Sequence, residues 1–252
     1  MKDTIIAKKT ESVSINNVEI YYEVYGKGEP LILLHGYTQS SIAWLEYVKE
    51  YSNNFEVYLI DLRGHGKSSK FEEQFSVRAA SEDVLTLMKH LNIKKVKGIG
   101  LSFGGDVLLE LSSMSPELVE AMIIIGANGN WDSQDFPSML NTFNYDNIEK
   151  FQWIREYHAY GEEQIKGILD QLANYKIKLT DEELKRIKAK TLLILGDKAE
   201  QIPIDSVVKL HQTLDDSQLW IVPNTGHYAH DGDNRKEFLR LSKAFLNSSI
   251  EK

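Results

Sequence analysis

The chain contains no cysteine, which removes disulfides, thiolate metal sites and cysteine nucleophiles together. That absence suits a reducing or an oxidising compartment equally, so it does not place the protein. No apolar run approaches the ~20 residues that span a bilayer. The opening stretch, Met1-Lys2-Asp3-Thr4-Ile5-Ile6-Ala7-Lys8-Lys9, lacks the apolar segment of a secretory leader, and the expected location is the cytoplasm. Basic charge is also short: 29 lysines and arginines stand against 37 acids, a formal charge of −8. With no basic block to offset it, that balance argues against nucleic acid or an anionic membrane surface as a partner.

What the sequence does hold is enough apolar material for one large domain. Its 252 residues are 42% hydrophobic and 26% charged, ordinary values for a globular protein of this size. Alternation across Val18-Glu19-Ile20-Tyr21-Tyr22-Glu23-Val24 predicts a half-buried strand, entered by a tight hairpin at Ile15-Asn16-Asn17-Val18. Gly26-Lys27-Gly28-Glu29-Pro30 is a turn. Leu31 to Leu34 is short and continuously apolar, as expected of a strand covered on both faces. The same reading applies to Val57 to Ile60, Val96 to Leu101, Met122 to Ile125, Leu192 to Leu195 and Leu219 to Val222.

Between these runs, Val77, Ala80, Val84, Leu87, Met88 and Leu91 recur at helical spacing, with Asn92 as a stop. Ser115-Pro116-Glu117 reads as a helix start with proline in the first turn. Strand–helix alternation after an antiparallel beginning implies an α/β fold with a mostly parallel, doubly wound sheet of about eight strands. From about Asn128 to Lys188 no strand signal is visible, and aromatic residues gather instead, among them Trp131, Phe136, Phe143, Trp153 and Tyr157. That stretch is expected to be a helical cap, residues 128–188, inserted after the sixth strand into a core of residues 1–127 and 189–252. Its last helix opens with the capping box Thr180-Asp181-Glu182-Glu183.

The most telling stretch is Gly100-Leu101-Ser102-Phe103-Gly104-Gly105. An apolar run precedes it, and a helical pattern through Val107, Leu108, Leu111 and Met114 follows. Strand, sharp Gly-x-Ser-x-Gly turn and helix together make a nucleophile elbow. Glycines flank the serine because its backbone is strained and no side chain can crowd the turn. A serine hydroxyl attacks only when a base takes its proton. Of seven histidines, His227 lies in the loop after the last strand, ahead of a terminal helix marked by Phe238, Leu241 and Phe245. Parallel strands all end on one face of the sheet, so that loop and the elbow can meet there, and His227 is the expected general base.

Acyl transfer also needs donors aimed at a developing oxyanion. The amide of Phe103, next after the nucleophile, is one; that of Tyr37, in the loop after Leu34, is the expected second. His35 and His65, each ahead of a glycine, are expected to lock loops. His90 and His211 belong to helical faces in solvent, and His230 has no assigned role. Trp131, Trp153 and His158 are candidates for the substrate pocket. Asp106 falls in the first turn of the helix after the elbow, where negative charge suits the helix dipole. No metal and no cofactor is expected.

In chain order, His35-Gly36, Asp61-Leu62-Arg63-Gly64-His65-Gly66-Lys67-Ser68, Gly100 to Gly105 and Gly226-His227 resemble the landmarks of the α/β-hydrolase superfamily. The resemblance runs from about Ser14 to Leu246 and is nearest to the capped esterase, enol-lactonase and prolyl-iminopeptidase-like branch. It implies Ser102 as nucleophile, His227 as base and an organising role for Asp61-Leu62-Arg63. It also implies an acid after the penultimate strand, in a Gly-x-x-Asp pattern ahead of a proline. Here that loop reads Leu195-Gly196-Asp197-Lys198-Ala199-Glu200-Gln201-Ile202-Pro203, and the matching position is Ala199. Four explanations stand open. Glu200 reaches back; Asp197 swings in; an acid after the preceding strand substitutes, with Asp132 the nearest and Asn128 a neutral stand-in; or the acid has been lost, by design or in nature.

The expected activity is cofactor-independent hydrolysis of small carboxylic esters, lactones or related acyl substrates through an acyl-enzyme on Ser102, weakened by Ala199. The expected partner is a small acyl molecule, and the expected state a monomer or homodimer. The alternative is a sensor that binds a small ligand on the same scaffold with little or no chemistry. Peroxidation or lyase chemistry on the same residues is a third reading.

Overall fold

The hairpin residues Asn16 and Asn17 both lie at positive φ, 48° and 63°, a backbone that asparagine tolerates and that matches the twist of paired strands. They fold β1 (Lys9–Ile15) back onto β2 (Val18–Gly26), with Ile15 opposite Val18. The structure is a computed structural model that describes residues 5–248. After the hairpin come β3 (Glu29–Leu34), α1 (Leu45–Tyr51), β4 (Phe55–Ile60), α2 (Val77–His90), β5 (Val96–Leu101), α3 (Phe103–Met114) and β6 (Val119–Ile125). Following β6 are β7 (Asn130–Asp132), α4 (Pro137–Thr142), α5 (Gly161–Gln171), β8 (Lys176–Lys178) and α6 (Asp181–Leu184). The chain closes with β9 (Lys190–Gly196), α7 (Ile204–Thr213), β10 (Ser217–Val222) and α8 (Arg235–Asn247).

Eight strands form one sheet in the order β1-β2-β4-β3-β5-β6-β9-β10. β1–β2 and β2–β4 pair antiparallel at one edge, and every pairing beyond β4 is parallel. The expected α/β-hydrolase architecture is therefore the observed one. Alternate residues of the central strands feed two separate cores: Ile32, Leu34, Met122 and Ile124 face one, and Leu31, Leu33, Ile123 and Ile125 the other. α2, α3 and α7 cover the first face, and α1 and α8 the second. Burial on both faces is why these strands carry unbroken apolar runs.

Register places the strand ends together. Leu34 pairs with Ile60 and Gly100, Leu101 with Ile125, and Val222 with Gly196. The loops that follow all leave the sheet along one edge. Asn92, at φ 57° just past α2, is the left-handed residue that ends that helix. The capping box at Thr180 and Glu183 is present, although α6 is a single turn.

Two expectations need correcting. Pro116 starts no helix: the Leu118 amide donates to the Ser115 carbonyl in one tight turn, and β6 begins at Val119. The apolar run follows too closely to leave room for a helix. The stretch between β6 and β9 is also not purely helical, because β7 and β8 pair antiparallel, with Trp131 opposite Ile177.

Candidate active site

β5 ends at Leu101 and α3 begins at Phe103, which leaves Ser102 alone at the turn with φ 52° and ψ −114°. For a residue with a β-carbon that conformation costs on the order of 1–3 kcal/mol. Neighbouring strands hold it there. The Ser102 amide donates to the Ile125 carbonyl on β6 at 2.7 Å, and the Gly104 amide to the His35 carbonyl just past β3 at 3.0 Å. A β-carbon on Gly104 would stand 2.4 Å from the Leu34 carbonyl oxygen, and one on Gly100 2.3 Å from that of Gly104. Backbone packs on backbone at this elbow, and only glycine fits.

His227 arrives from the far side of the sheet. The loop after β10 is laced to the loop after β9: the Lys198 amide donates to the Thr225 carbonyl at 2.8 Å, and the Thr225 amide to Asp197 Oδ1 at 3.1 Å. The imidazole then lies over Gly126 at the end of β6. Ser102 and His227 border one cavity of about 280 Å³. Burial alone pushes the His227 pKa down to about 4, so the ring is neutral at physiological pH. Its Nδ1 is buried and has no hydrogen-bond partner among the described residues.

None of the candidate acids fills that position. Ala199 is buried in an apolar cluster. Asp197 is engaged with Thr225, and Glu200 is exposed. Asp132 caps a turn by accepting from the Gln134 amide at 3.0 Å. Asn128 does border the cavity, but its amide group donates to Ser206 and its oxygen accepts from Asn130.

The amides expected to form the oxyanion hole are available. Phe103 is the first residue of α3, and neither its N–H nor that of Tyr37 donates to a protein acceptor among the described residues. The Tyr37 ring is fixed against Phe103 and Tyr175, and its hydroxyl donates to the Ile168 carbonyl at 2.8 Å. Trp131 and Trp153 both border the cavity, Trp131 anchored by an indole N–H to the Gln201 carbonyl at 3.1 Å.

His158 is a correction. It is buried away from the cavity, with Nδ1 accepting from the Gly66 amide at 3.0 Å and Nε2 donating to the Thr38 carbonyl at 3.1 Å. Both nitrogens are occupied, so none is left for a substrate. Instead it pegs the 128–188 segment to the loops after β3 and β4. His35 joins those same loops: Nδ1 donates to the Gly36 carbonyl at 2.8 Å and Nε2 accepts from the Leu62 amide at 3.0 Å. Burial takes its pKa to about 3. The Asp61 carboxylate accepts from the Ser41 and Lys67 amides at 2.7 and 2.8 Å, an organising role only. His65 is buried and bonded to the Arg63 carbonyl, His230 packs among Trp44, Tyr47 and Phe238, and His211 meets Ser217.

Sequence reasoning undervalued Asp106. Its side chain is buried in the cavity wall, with Oδ1 accepting from the Gly129 amide at 3.0 Å and Oδ2 from the Tyr175 hydroxyl at 2.7 Å. Burial raises its pKa to about 6 against the pull of those bonds.

A strained serine, a half-buried histidine and free amides at the ends of parallel strands define a hydrolase-type site on a doubly wound sheet. The family model described as alpha/beta hydrolase fold matches residues 29–168, more than half the chain, and the chain belongs to that family. A Haemophilus influenzae protein provisionally named esterase/lipase is 25% identical over 242 residues, covering 87% of this chain and 83% of its own. The 2-hydroxy-6-oxo-6-(2'-aminophenyl)hexa-2,4-dienoic acid hydrolase of Metapseudomonas resinovorans is 24% identical over 277 residues, covering 96% and 94%. A solved carboxylesterase from Bacillus subtilis shares the fold at a TM-score of 0.78 and 23% identity, over 97% of this chain and 93% of its own. No described helix is long and apolar enough to cross a membrane.

Proposed function

We propose that the protein is a cofactor-independent serine hydrolase of small carboxylic esters, lactones or related acyl substrates, with residues 128–188 as its cap. Ser102 Oγ attacks the carbonyl carbon while His227 Nε2 takes the hydroxyl proton. The amides of Tyr37 and Phe103 receive the oxyanion. The carbon–oxygen bond to the leaving group breaks, and His227 returns the proton to it. Water then loses a proton to the same imidazole and cleaves the acyl-enzyme. The observation that carries this reading is the strained Ser102 sharing one cavity with His227.

The unpaired Nδ1 of His227 sets the expected rate. Loss of a triad acid costs ~10⁴ in turnover in well-studied serine proteases, about 5–6 kcal/mol of barrier. The proposed enzyme is therefore slow. The same observation favours a second reading, a small-ligand sensor that keeps the fold and little of the chemistry.

A fluorophosphonate probe separates the two. Mass added at Ser102, absent from Ser102→Ala, together with aryl-ester turnover, supports the hydrolase. A serine that stays silent both here and after Ala199→Asp supports the sensor.

A further inference from the structure

The walls above Ser102 are apolar, built from Trp131, Met139, Phe143, Leu172 and Ile202. Among the described residues no lysine or arginine borders the cavity, and Asp106 supplies the only carboxylate in its lining. Asp106 follows Ser102 by one helical turn, its amide donating to the Ser102 carbonyl at 3.0 Å, and its side chain borders the same cavity. Its own oxygens are satisfied by neutral donors, Gly129 N–H and Tyr175 O–H. Among the described residues no cation pairs with it.

A substrate carboxylate entering this space would shed its water, find no counterion and face Asp106 across a low-dielectric gap. His227 offers no compensation, because burial keeps it neutral. Building like charge against the wrong ligand is a recognised source of selectivity. On the footing of the serine-hydrolase reading, we propose that the cavity accepts uncharged acyl groups and rejects acyl groups bearing a carboxylate, with Asp106 as the specificity-determining residue. An acid of the kind for which the Metapseudomonas resinovorans relative is named would meet nothing here to neutralise it.

The test uses two phosphonate probes of equal length. One is a p-nitrophenyl pentylphosphonate ethyl ester; the other carries a carboxylate in place of the terminal methyl. In each, Ser102 Oγ forms a bond to phosphorus, p-nitrophenolate leaves, and the serine proton passes to His227. Rates of label incorporation at Ser102 are measured on the chain as it stands and on Ala199→Asp. The neutral probe should react on the order of 10²-fold faster than the anionic one. Asp106→Asn keeps an oxygen for Gly129 and should narrow that ratio by roughly tenfold. The comparison is internal to each protein, and the first ratio needs no variant to fold.

Equal rates for the two probes would overturn the selectivity and leave the hydrolase reading intact. A ratio unmoved by Asp106→Asn in a folded variant would remove Asp106 from the role. If neither probe labels Ser102 in either protein, the hydrolase reading falls and the selectivity with it.

Discussion

A β-carbon placed on Gly126 would stand 3.0 Å from both Cε1 and Nδ1 of His227. The imidazole thus rests on a bare Cα at the end of β6, where φ is +61°. Gly126→Ala should displace the ring and strain the backbone by about 1–2 kcal/mol. Ester turnover should fall further than the lost stability accounts for. Unchanged kinetics in Gly126→Ala would show that His227 does not depend on this seat.

Ala199→Asp should raise turnover by roughly 10²–10⁴-fold if its carboxylate reaches Nδ1 of His227. The pH profile gives a second readout. With its pKa lowered to about 4, His227 should keep the acid limb of the rate profile near that value. A neighbouring carboxylate favours the imidazolium and raises the pKa, so the limb should move upward in the variant. No gain in rate and no shift of the limb would mean that another group already serves the histidine.

His158→Ala should be a stability variant first. It strips partners from the Gly66 amide and the Thr38 carbonyl, and each buried group left unpaired costs about 1–3 kcal/mol. Urea unfolding should report that loss, and the ratio of rates between different ester substrates should hold. A change of substrate preference without loss of stability would return His158 to the pocket.

Acid should loosen the fold before carboxylates account for it. Burial lowers the pKa of His35 to about 3 and of His158 and His230 to about 4, while the unfolded chain takes up protons near 6.5. Their stabilisation is complete above that pH and falls as acid is added, by about 1.4 kcal/mol per pH unit for each histidine, until its folded pKa is reached. Asp106, raised to about 6 from 3.8, and Asp61, also raised by burial, act with the opposite sign. The three histidines outnumber these two carboxyls, so thermal midpoints should drop between pH 6.5 and 4.5. A flat profile across that window would contradict the buried neutral assignment.

The parts of this architecture that announce themselves in sequence are those set by neighbours along the chain. Leu31 to Leu34 reads as a two-faced strand because both faces are covered, and Asn16, Asn17 and Asn92 mark left-handed turns through their own backbone preference. Ser102 betrays its strain through the glycines around it. The peg at His158 was invisible because its partners, Gly66 and Thr38, lie 92 and 120 positions away. Asp106 looked like a dipole residue because Tyr175, 69 positions on, gave no sign of facing it. β7 and β8 carry no strand signal in sequence because three residues each are too few to show a period of two.

The backbone bonds that hold the Ser102 turn come from Ile125 on β6 and His35 just past β3, whereas Ala199 lies in the loop between β9 and α7. On the proposed mechanism, architecture and catalytic strength are anchored in separate places. Chemistry of this kind can, on that mechanism, be dimmed or restored through one position of an outlying loop while the turn at Ser102 stays folded.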